Sequence, residues 1–373
     1  MIESDVTAET QKATRLSVDW VVLVAALALI GIGLIMGMST SSVVGYRLHQ
    51  DSFLFMRRQV IFLVIGFLGM IGAYLAPMRV HKLGAMIGFV GSMGLLLATL
   101  IPGVGVTLGG ATRWISMGFI QLQPIELVKF FLCGVLAQVL VNKGATMGRL
   151  RTGILPVLLV IAVPVGILAK QPDLGNIILI GIVSMVMLFL ADTRGRHLVG
   201  LAIAGLGMVA GSILVNPYQQ QRILSFLNPW EDPLGRNYHI VQSLTAIGSG
   251  GFWGLGLGQS KLKYFYLPLH YSDFIFAVLC EEGGFLLGTI VIGLFAVVLY
   301  RVMMRVRWVT DPVVQLYVVG LTLYLVVQAF LNIGVVIGVL PVTGIPLTFI
   351  SFGGTSLVMA MVSVGAILRG GMN

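Results

Sequence analysis

Long apolar runs separated by short polar segments dominate the chain. A helix that crosses a membrane needs roughly 20 consecutive apolar residues, and ten runs are of about this length. The pattern therefore predicts an all-α polytopic membrane protein with ten transmembrane helices. The predicted spans are 19–40, 58–76, 82–102, 122–141, 153–170, 174–191, 197–215, 274–300, 313–338 and 347–369.

One long polar segment, residues 216–273, separates the seventh and eighth predicted spans. It ends at Asp273, which is followed at once by the apolar sequence FIFAVL. We predict that this segment is a large extracytoplasmic loop within a single membrane domain, residues 1–373. The polar residues 1–18 are expected to form a short cytoplasmic tail. No cleavable signal peptide is expected, because the first apolar run is long enough to remain in the membrane.

Composition supports a membrane protein and excludes an ordinary soluble domain. The 373 residues are 57% hydrophobic and only 10% charged, whereas soluble domains carry about 25% charged residues. Lys and Arg outnumber Asp and Glu by 23 to 14. In a membrane protein such an excess orients the helices, because positive charges collect on short cytoplasmic loops. We therefore expect no nucleic-acid partner. Both termini are predicted in the cytoplasm, with the protein in the cytoplasmic (inner) membrane.

Ionisable residues inside the apolar runs are costly and are usually paired or functional. Glu126 and Lys129 lie three residues apart and share a helix face, so they form either an internal ion pair or part of a site. Lys170 and Asp173 bracket a Gln-Pro dipeptide, which predicts a broken helix that lines a cavity. Asp273 is either a carboxylate favoured by a helix N-terminus or a general base or metal ligand at the membrane surface.

Two further stretches allow more than one interpretation. The glycine-rich residues 248–258 match neither a Walker loop nor the dinucleotide fingerprint, so no nucleotide cofactor is expected. They predict a flexible loop or close backbone packing, or else a backbone cradle for a lipid-linked diphosphate. Arg113 and Trp114, between the third and fourth spans, are either interface anchors or groups that hold a phosphate and stack on a sugar.

Several motifs in a fixed order resemble one family. These are ATRWI at 111–115, QPIE at 123–126 with Lys129, QPDLG at 171–175, NPWEDP at 228–233, QSL at 242–244 with AIGSGG at 246–251, DFIF at 273–276, and Asn332 followed by GVLPVTGIP at 338–346 and FISFGGTS at 349–356. The chain resembles the shape, elongation, division and sporulation family, that of FtsW and RodA, over essentially its whole length. The run GLGLGQSK at 254–261, before YLP at 266–268, is more similar to FtsW.

The resemblance implies a peptidoglycan glycosyltransferase that polymerises lipid II on the outer face of the membrane, with cell division as the expected setting. It also implies partners: lipid II, a lipid-linked glycan strand, a class B penicillin-binding protein and other divisome proteins. Asp273 matches the family's essential carboxylate and is predicted to be catalytic. It is also the predicted ligand of a divalent cation, Mg²⁺ or Mn²⁺. The predicted substrate-binding residues are Trp114, Arg113, Lys129, Glu126, Arg222, Arg236, Lys261, Ser351, Gly353 and Gly354.

The chain departs from the family pattern just before Asp273. Where Pro-Glu-Ala-His-Thr is usual, residues 268–272 read Pro-Leu-His-Tyr-Ser, so the second carboxylate of the family pattern is missing there. Ile125 replaces a common serine, and Asn176 and Thr348 also differ from the usual residues. Two other functions stay open: a lipid II flippase, which would need charges along a path through the membrane, and a non-catalytic divisome scaffold.

Overall fold

The computed structural model describes residues 18–51, 53–108, 111–118, 120–233, 235, 237–260 and 273–372. This part of the chain is mostly helical, with one small sheet. Its elements, in chain order, are α1 (Trp20–His49), α2 (Leu54–Leu75), α3 (Met78–Ala98), β1 (Gly105–Leu108), β2 (Ala111–Met117), β3 (Ile120–Leu122), α4 (Pro124–Lys143), α5 (Leu155–Lys170), α6 (Leu174–Leu190), α7 (Gly195–Val215), α8 (Pro217–Leu227), α9 (Tyr238–Gly250), α10 (Ile275–Val306), α11 (Pro312–Val336) and α12 (Gly354–Gly370).

Each predicted span overlaps one of these helices. Within the described residues, eight helices are long and apolar enough to cross a membrane, and α6 and α12 are shorter apolar helices. The protein is therefore a polytopic helical membrane protein. The last prediction began too early, because residues 347–353 are not helical. The Ser351 hydroxyl accepts a hydrogen bond from the Leu347 backbone N–H at 2.8 Å, and such local bonds compete with helix formation.

The bundle is built around α4 and α11, which are the most buried of the candidate spans. Helix α4 packs against α3 and α11, and α11 also packs against α6 and α10. Glycine lets a neighbouring segment approach a helix closely, because it has no side chain at the contact. A Cβ on Gly33 of α1 would lie only 2.5 Å from the Phe349 carbonyl oxygen. In contrast to α4 and α11, helix α7 has no buried residue.

The two ends of α10 define two faces of the bundle. Helix α10 has 32 residues and runs from Ile275 to Val306 across an interruption at Gly284. Near its C-terminal end, Arg301 and Arg305 pair with Asp19 at 3.0 and 3.2 Å. We call this end the Asp19 face and the other end, where the helix begins, the Asp273 face.

The described part of the 216–273 segment is not a simple polar loop. It contains α8 and α9, and α9 runs beside the first half of α10. The His239 ring stacks on Phe274 with centroids 5.9 Å apart, and a Cβ on Gly250 would lie 2.0 Å from the Cys280 carbonyl oxygen. Helix α9 therefore descends from the Asp273 face alongside α10.

The glycine-rich residues form close backbone packing, which was one of the predicted alternatives. Helix α10 is interrupted at Gly284 (φ 69°, ψ −172°), a left-handed conformation that glycine adopts easily. The interruption frees backbone groups, which pair with the glycine-rich segment. Leu255 N–H donates to the Glu281 carbonyl at 2.9 Å, and Phe285 N–H donates to the Gly251 carbonyl at 2.9 Å. The buried backbone is thus satisfied within the protein.

A three-stranded antiparallel sheet, in the order β1-β2-β3, precedes α4. Its register pairs Val106 with Trp114 and Ile115 with Leu122. The apolar pattern predicted only a connecting loop at these positions. The sheet places Arg113 and Trp114 on a rigid strand at the Asp273 face.

Candidate functional site

The centre of the Asp273 face is the connection between α11 and α12, in particular residues 338–346, which we call the central loop. Side chains from α8 and from the adjacent helix α11 donate hydrogen bonds to its carbonyl oxygens. Arg222 Nη1 donates to Val342 at 3.1 Å, Asn332 Nδ2 to Ile345 at 2.8 Å, and Gln328 Nε2 to Pro346 at 3.2 Å. Because irregular backbone at a membrane surface must be satisfied within the protein, these donors hold the loop in one conformation.

Asp273 lies at the edge of the central loop. It is half-buried and sits two residues before the start of α10. The same Asn332 amide that binds Ile345 also donates to the Asp273 carbonyl oxygen at 2.8 Å. The backbone of Asp273 is therefore tied to the loop. A Cβ built on Gly344 would lie 3.8 Å from Asp273 Oδ2, so the carboxylate reaches the loop's glycine.

Arg113 lies beside the same glycine. The Cβ position of Gly344 is 3.4 Å from Arg113 Nη1, so the guanidinium and the Asp273 carboxylate approach a single point. Arg113 also forms an ion pair with Asp173, with Nε 3.3 Å from Oδ2. The structure thus brings together a predicted catalytic carboxylate and a predicted substrate-binding arginine.

Trp114 follows Arg113 on β2 and is half-buried. Successive side chains of a strand leave on opposite faces, so Trp114 and Arg113 are directed to opposite faces of the sheet. Arg236 and Lys261, two more predicted substrate-binding residues, lie outside the described residues.

His239 and Arg222 add polar groups near Asp273. Burial, and then the positive charge of Arg222, lower the pKa of His239 below its ordinary value. The imidazole is therefore neutral at neutral pH. Its Nδ1 atom is buried without a hydrogen-bond partner among the described residues, while the ring stacks on Phe274.

Glu126 and Lys129 lie in the interior of the bundle. Lys129 Nζ donates to Glu126 Oε1 at 2.7 Å and to Gln328 Oε1 at 2.6 Å, and both charged residues are buried. The neighbouring cavity has a volume of about 20 Å³, which is close to the space needed for one water molecule and too small for a sugar. This placement favours the internal ion pair. Through Gln328, the pair also supports Pro346 of the central loop.

A Lys129→Met variant tests this interpretation. It leaves the Glu126 carboxylate buried without its partner, which typically costs about 3–5 kcal/mol. We expect a matching loss of thermal stability for the purified protein in detergent, and recovery of most of it when Glu126→Gln is added. The control is Lys82→Met, which breaks a half-exposed pair with Asp311 and should cost at most about 1 kcal/mol. Equal losses in the two single variants would contradict the interpretation.

The predicted residues 351–354 connect the central loop to α12. Ser351 is buried and its hydroxyl accepts the Leu347 N–H. A Cβ on Gly354 would meet the Phe62 ring at 2.4 Å, so this glycine permits close contact with α2. These contacts shape the chain beside the site, and Gly353 begins α12 as its N-cap.

The sequence predicts a divalent cation at this site. Within the described ranges, no group of three or more His, Cys, Asp or Glu residues could hold a metal ion. Asp173 is engaged by Arg113 and by the Asn176 amide, whose Nδ2 lies 2.8 Å from Oδ2. Asp273, at the edge of the central loop, is the ligand that the sequence predicts. Mg²⁺ is commonly bound by one or two carboxylates together with substrate phosphates, so a cation held jointly by Asp273 and a bound diphosphate is compatible with the residues present.

Sequence reasoning did not assign a site role to Asp173, Asn332 or Gly344. All three lie in the motifs that carry the family resemblance, at 171–175, 332 and 338–346. Their presence in these motifs indicated that the three residues matter to the family. Their roles, however, depend on contacts between residues far apart in the chain.

The fold and the site define a polytopic helical membrane protein whose polar groups converge at one membrane face. The sequence signature for FtsW, RodA and SpoVE, described as "Cell cycle protein", matches residues 19–371. The chain therefore belongs to this family.

Two similar proteins illustrate the relationship. Stage V sporulation protein E of Bacillus subtilis (strain 168) is 40% identical, over 95% of this chain and 97% of the relative. A protein of Geobacter sp. (strain M18) named "Probable peptidoglycan glycosyltransferase FtsW" is 36% identical, over 94% of this chain and 96% of the relative.

Solved structures share the fold. A chain in a structure described as "Structural coordination of polymerization and crosslinking by a peptidoglycan synthase complex" superposes with a TM-score of 0.78 at 28% identity, covering 95% of this chain and 97% of that chain. The rod shape determining protein RodA of Thermus thermophilus superposes with a TM-score of 0.70 at 26% identity, covering 95% of this chain and 96% of that chain.

Proposed function

We propose that the protein is a peptidoglycan glycosyltransferase that polymerises lipid II into glycan strands at the outer face of the cytoplasmic membrane during cell division. Family membership and the names of its relatives support this activity. The observation that carries the proposal is the approach of Asp273 and Arg113 to one point beside Gly344. A carboxylate and a guanidinium at a membrane face suit a reaction between two lipid-anchored sugars, one of which loses a diphosphate.

In the proposed reaction, a sugar hydroxyl of the acceptor lipid II attacks the anomeric carbon of the growing strand. The new C–O bond forms in the β configuration as the bond from the anomeric carbon to the diphosphate oxygen breaks. Undecaprenyl diphosphate leaves with its electron pair. Asp273 accepts the hydroxyl proton as general base. Cleavage of the donor's glycosyl diphosphate linkage drives the step, so no nucleotide is required.

Positive charge is needed where the diphosphate leaves. Arg113 is placed to donate to its oxygens through Nη1, and charge-assisted bonds of this kind are among the stronger hydrogen bonds in proteins. Arg222 lies at the other side of the central loop, bonded to Val342. When a divalent cation is bound at Asp273, it supplies further charge neutralisation on the phosphate oxygens.

The charges of the protein support a proposed orientation in the membrane. Asp19, Arg301 and Arg305 lie at one face, and the larger share of Lys and Arg in short loops falls on the same side. By the positive-inside rule this face is cytoplasmic, with both termini there. All ten apolar helices then cross the membrane, and the 216–273 segment is extracytoplasmic. A class B penicillin-binding protein is the proposed partner, since the structural neighbour described above couples polymerisation to crosslinking.

The direct test is polymerisation of lipid II by the purified protein in detergent, with and without the cognate penicillin-binding protein and with Mg²⁺ or Mn²⁺ supplied. We expect glycan strands and release of undecaprenyl diphosphate. Detergent removes the bilayer across which a flippase would act, so strands in this assay establish the enzyme. Absence of strands under all these conditions, together with lipid II transport in proteoliposomes, would replace the proposal with a flippase.

A further inference from the structure

The carboxylate of Asp173 is one of the most deeply buried charges near the site, with 1% of its side chain exposed. It lies in the turn between α5 and α6 and caps the start of α6, where it accepts the Asn176 N–H at 3.3 Å. A buried carboxylate is costly unless it is paired and hydrogen-bonded. Its ionic partner is Arg113, which comes from the sheet and not from a neighbouring turn.

The contacts of Arg113 are distributed over two edges of its guanidinium. Nε faces Asp173 Oδ2 at 3.3 Å, and Nη2 donates to the Pro172 carbonyl at 3.1 Å. These two nitrogens form one edge of the planar group. Nη1, on the remaining side, lies next to Gly344 and hence near Asp273. Because the guanidinium is rigid and planar, holding one edge determines the direction of the other nitrogen.

Asp173 is itself held in place from several sides. Asn176 Nδ2 donates to Asp173 Oδ2 at 2.8 Å. The start of α6 also packs tightly on the central loop, since a Cβ on Gly175 would lie 2.9 Å from the Thr343 carbonyl oxygen. The carboxylate, the guanidinium and the central loop are therefore parts of one packed unit at the Asp273 face.

We propose that Asp173 is a positioning residue for the transfer reaction: its carboxylate pairs with Nε of Arg113, beside the Pro172 carbonyl that accepts from Nη2, so that Nη1 stays near Asp273 and is directed at the diphosphate of the bound substrate. This inference rests on the proposed function. Asp173 does not touch the substrate and acts only through Arg113. Misplacement of a charged group by about 1 Å can cost on the order of 100-fold in rate, so a residue of this kind has a large effect at a distance.

A double-mutant cycle tests the proposal. Asp173→Asn removes the charge but keeps the shape and the helix cap, and Arg113→Lys keeps the charge but lacks the planar edge. We expect each single variant to lower kcat/KM for lipid II polymerisation by about 10- to 100-fold. The double variant should be within about 2-fold of Arg113→Lys alone, because Asp173 has nothing left to position. Losses that multiply in the double variant would overturn the proposal.

The matched control is Asp19→Asn at the opposite face. Asp19 is also a buried carboxylate that accepts backbone N–H groups at a helix start, from Val21 and Val22, and pairs with Arg301 and Arg305. The Asp19→Asn variant should lose about as much thermal stability as Asp173→Asn. It should keep its kcat/KM within about 2-fold of the wild type. If it loses as much activity as Asp173→Asn, the activity loss reports stability alone and the proposal is wrong.

Two additions keep the result interpretable. If Asp173→Asn does not fold, Asp173→Glu, which retains a displaced carboxylate, replaces it in the cycle. The same cycle is also measured as the affinity for undecaprenyl diphosphate. If the wild type makes no glycan strands, the proposed function fails. The positioning role is then judged by binding alone, where the same non-additive loss supports it and multiplying losses overturn it.

Discussion

Asp273→Asn should abolish lipid II polymerisation while leaving the protein folded. A general base contributes about 10²- to 10⁴-fold to a rate, so strands should fall to or below the detection limit. The described anchor of this residue is its backbone carbonyl, bonded to Asn332 at 2.8 Å, and asparagine keeps that bond. The measurement is glycan strand formation from lipid II, with thermal unfolding of the same preparation to confirm folding.

The control for this variant is Glu231→Gln. Glu231 is an exposed carboxylate in the same 216–273 segment, and its neutralisation should leave polymerisation close to the wild-type rate. Strands made by Asp273→Asn at a wild-type rate would show that the carboxylate is not required. The general-base assignment would then be rejected, even though the enzyme class would stand.

Gly344→Ala should have the second largest effect. Gly344 has a φ of +72°, a conformation that costs a residue with a side chain about 1–3 kcal/mol. The new methyl group would also stand 3.4 Å from Arg113 Nη1 and 3.8 Å from Asp273 Oδ2, in the space where the two groups approach each other. We expect kcat/KM for polymerisation to fall by about 10- to 100-fold, together with a loss of thermal stability.

The Gly338→Ala variant separates the effect of backbone strain from the effect of filling the space between Arg113 and Asp273. Gly338 lies at the start of the same loop and has a similar φ of +75°, but the atoms nearest to its Cβ would be side-chain carbons of Leu244 and Ile240. Both variants should be destabilised by a similar amount, and only Gly344→Ala should lose most of its activity. Equal activity losses would mean that loop strain, and not the space between Arg113 and Asp273, controls the rate.

The position of Asp273 was predictable because the signal is local. A carboxylate at the point where a polar segment meets an apolar run is visible in the sequence, and so is the family motif that contains it. The pairing of Arg113 with Asp173 was not predictable, since the two residues lie on segments far apart in the chain. The hydrogen bond from Arg113 to Pro172, which joins the same two segments, spans 59 positions. Glu126 and Lys129 could be paired from their spacing, but only packing shows that Gln328 links them to Pro346.

The sequence by itself determined the class of protein, the approximate position of each membrane helix and the family. These properties follow from local composition, because the hydrocarbon core requires long apolar runs and the motifs are short. The tertiary structure alone decided the sheet before α4, the interruption of α10 at Gly284 and the approach of Arg113, Asp173 and Asp273 around the central loop. These features depend on contacts between segments that are distant in sequence, and such contacts arise only when the helices pack and bring the loops at the Asp273 face together.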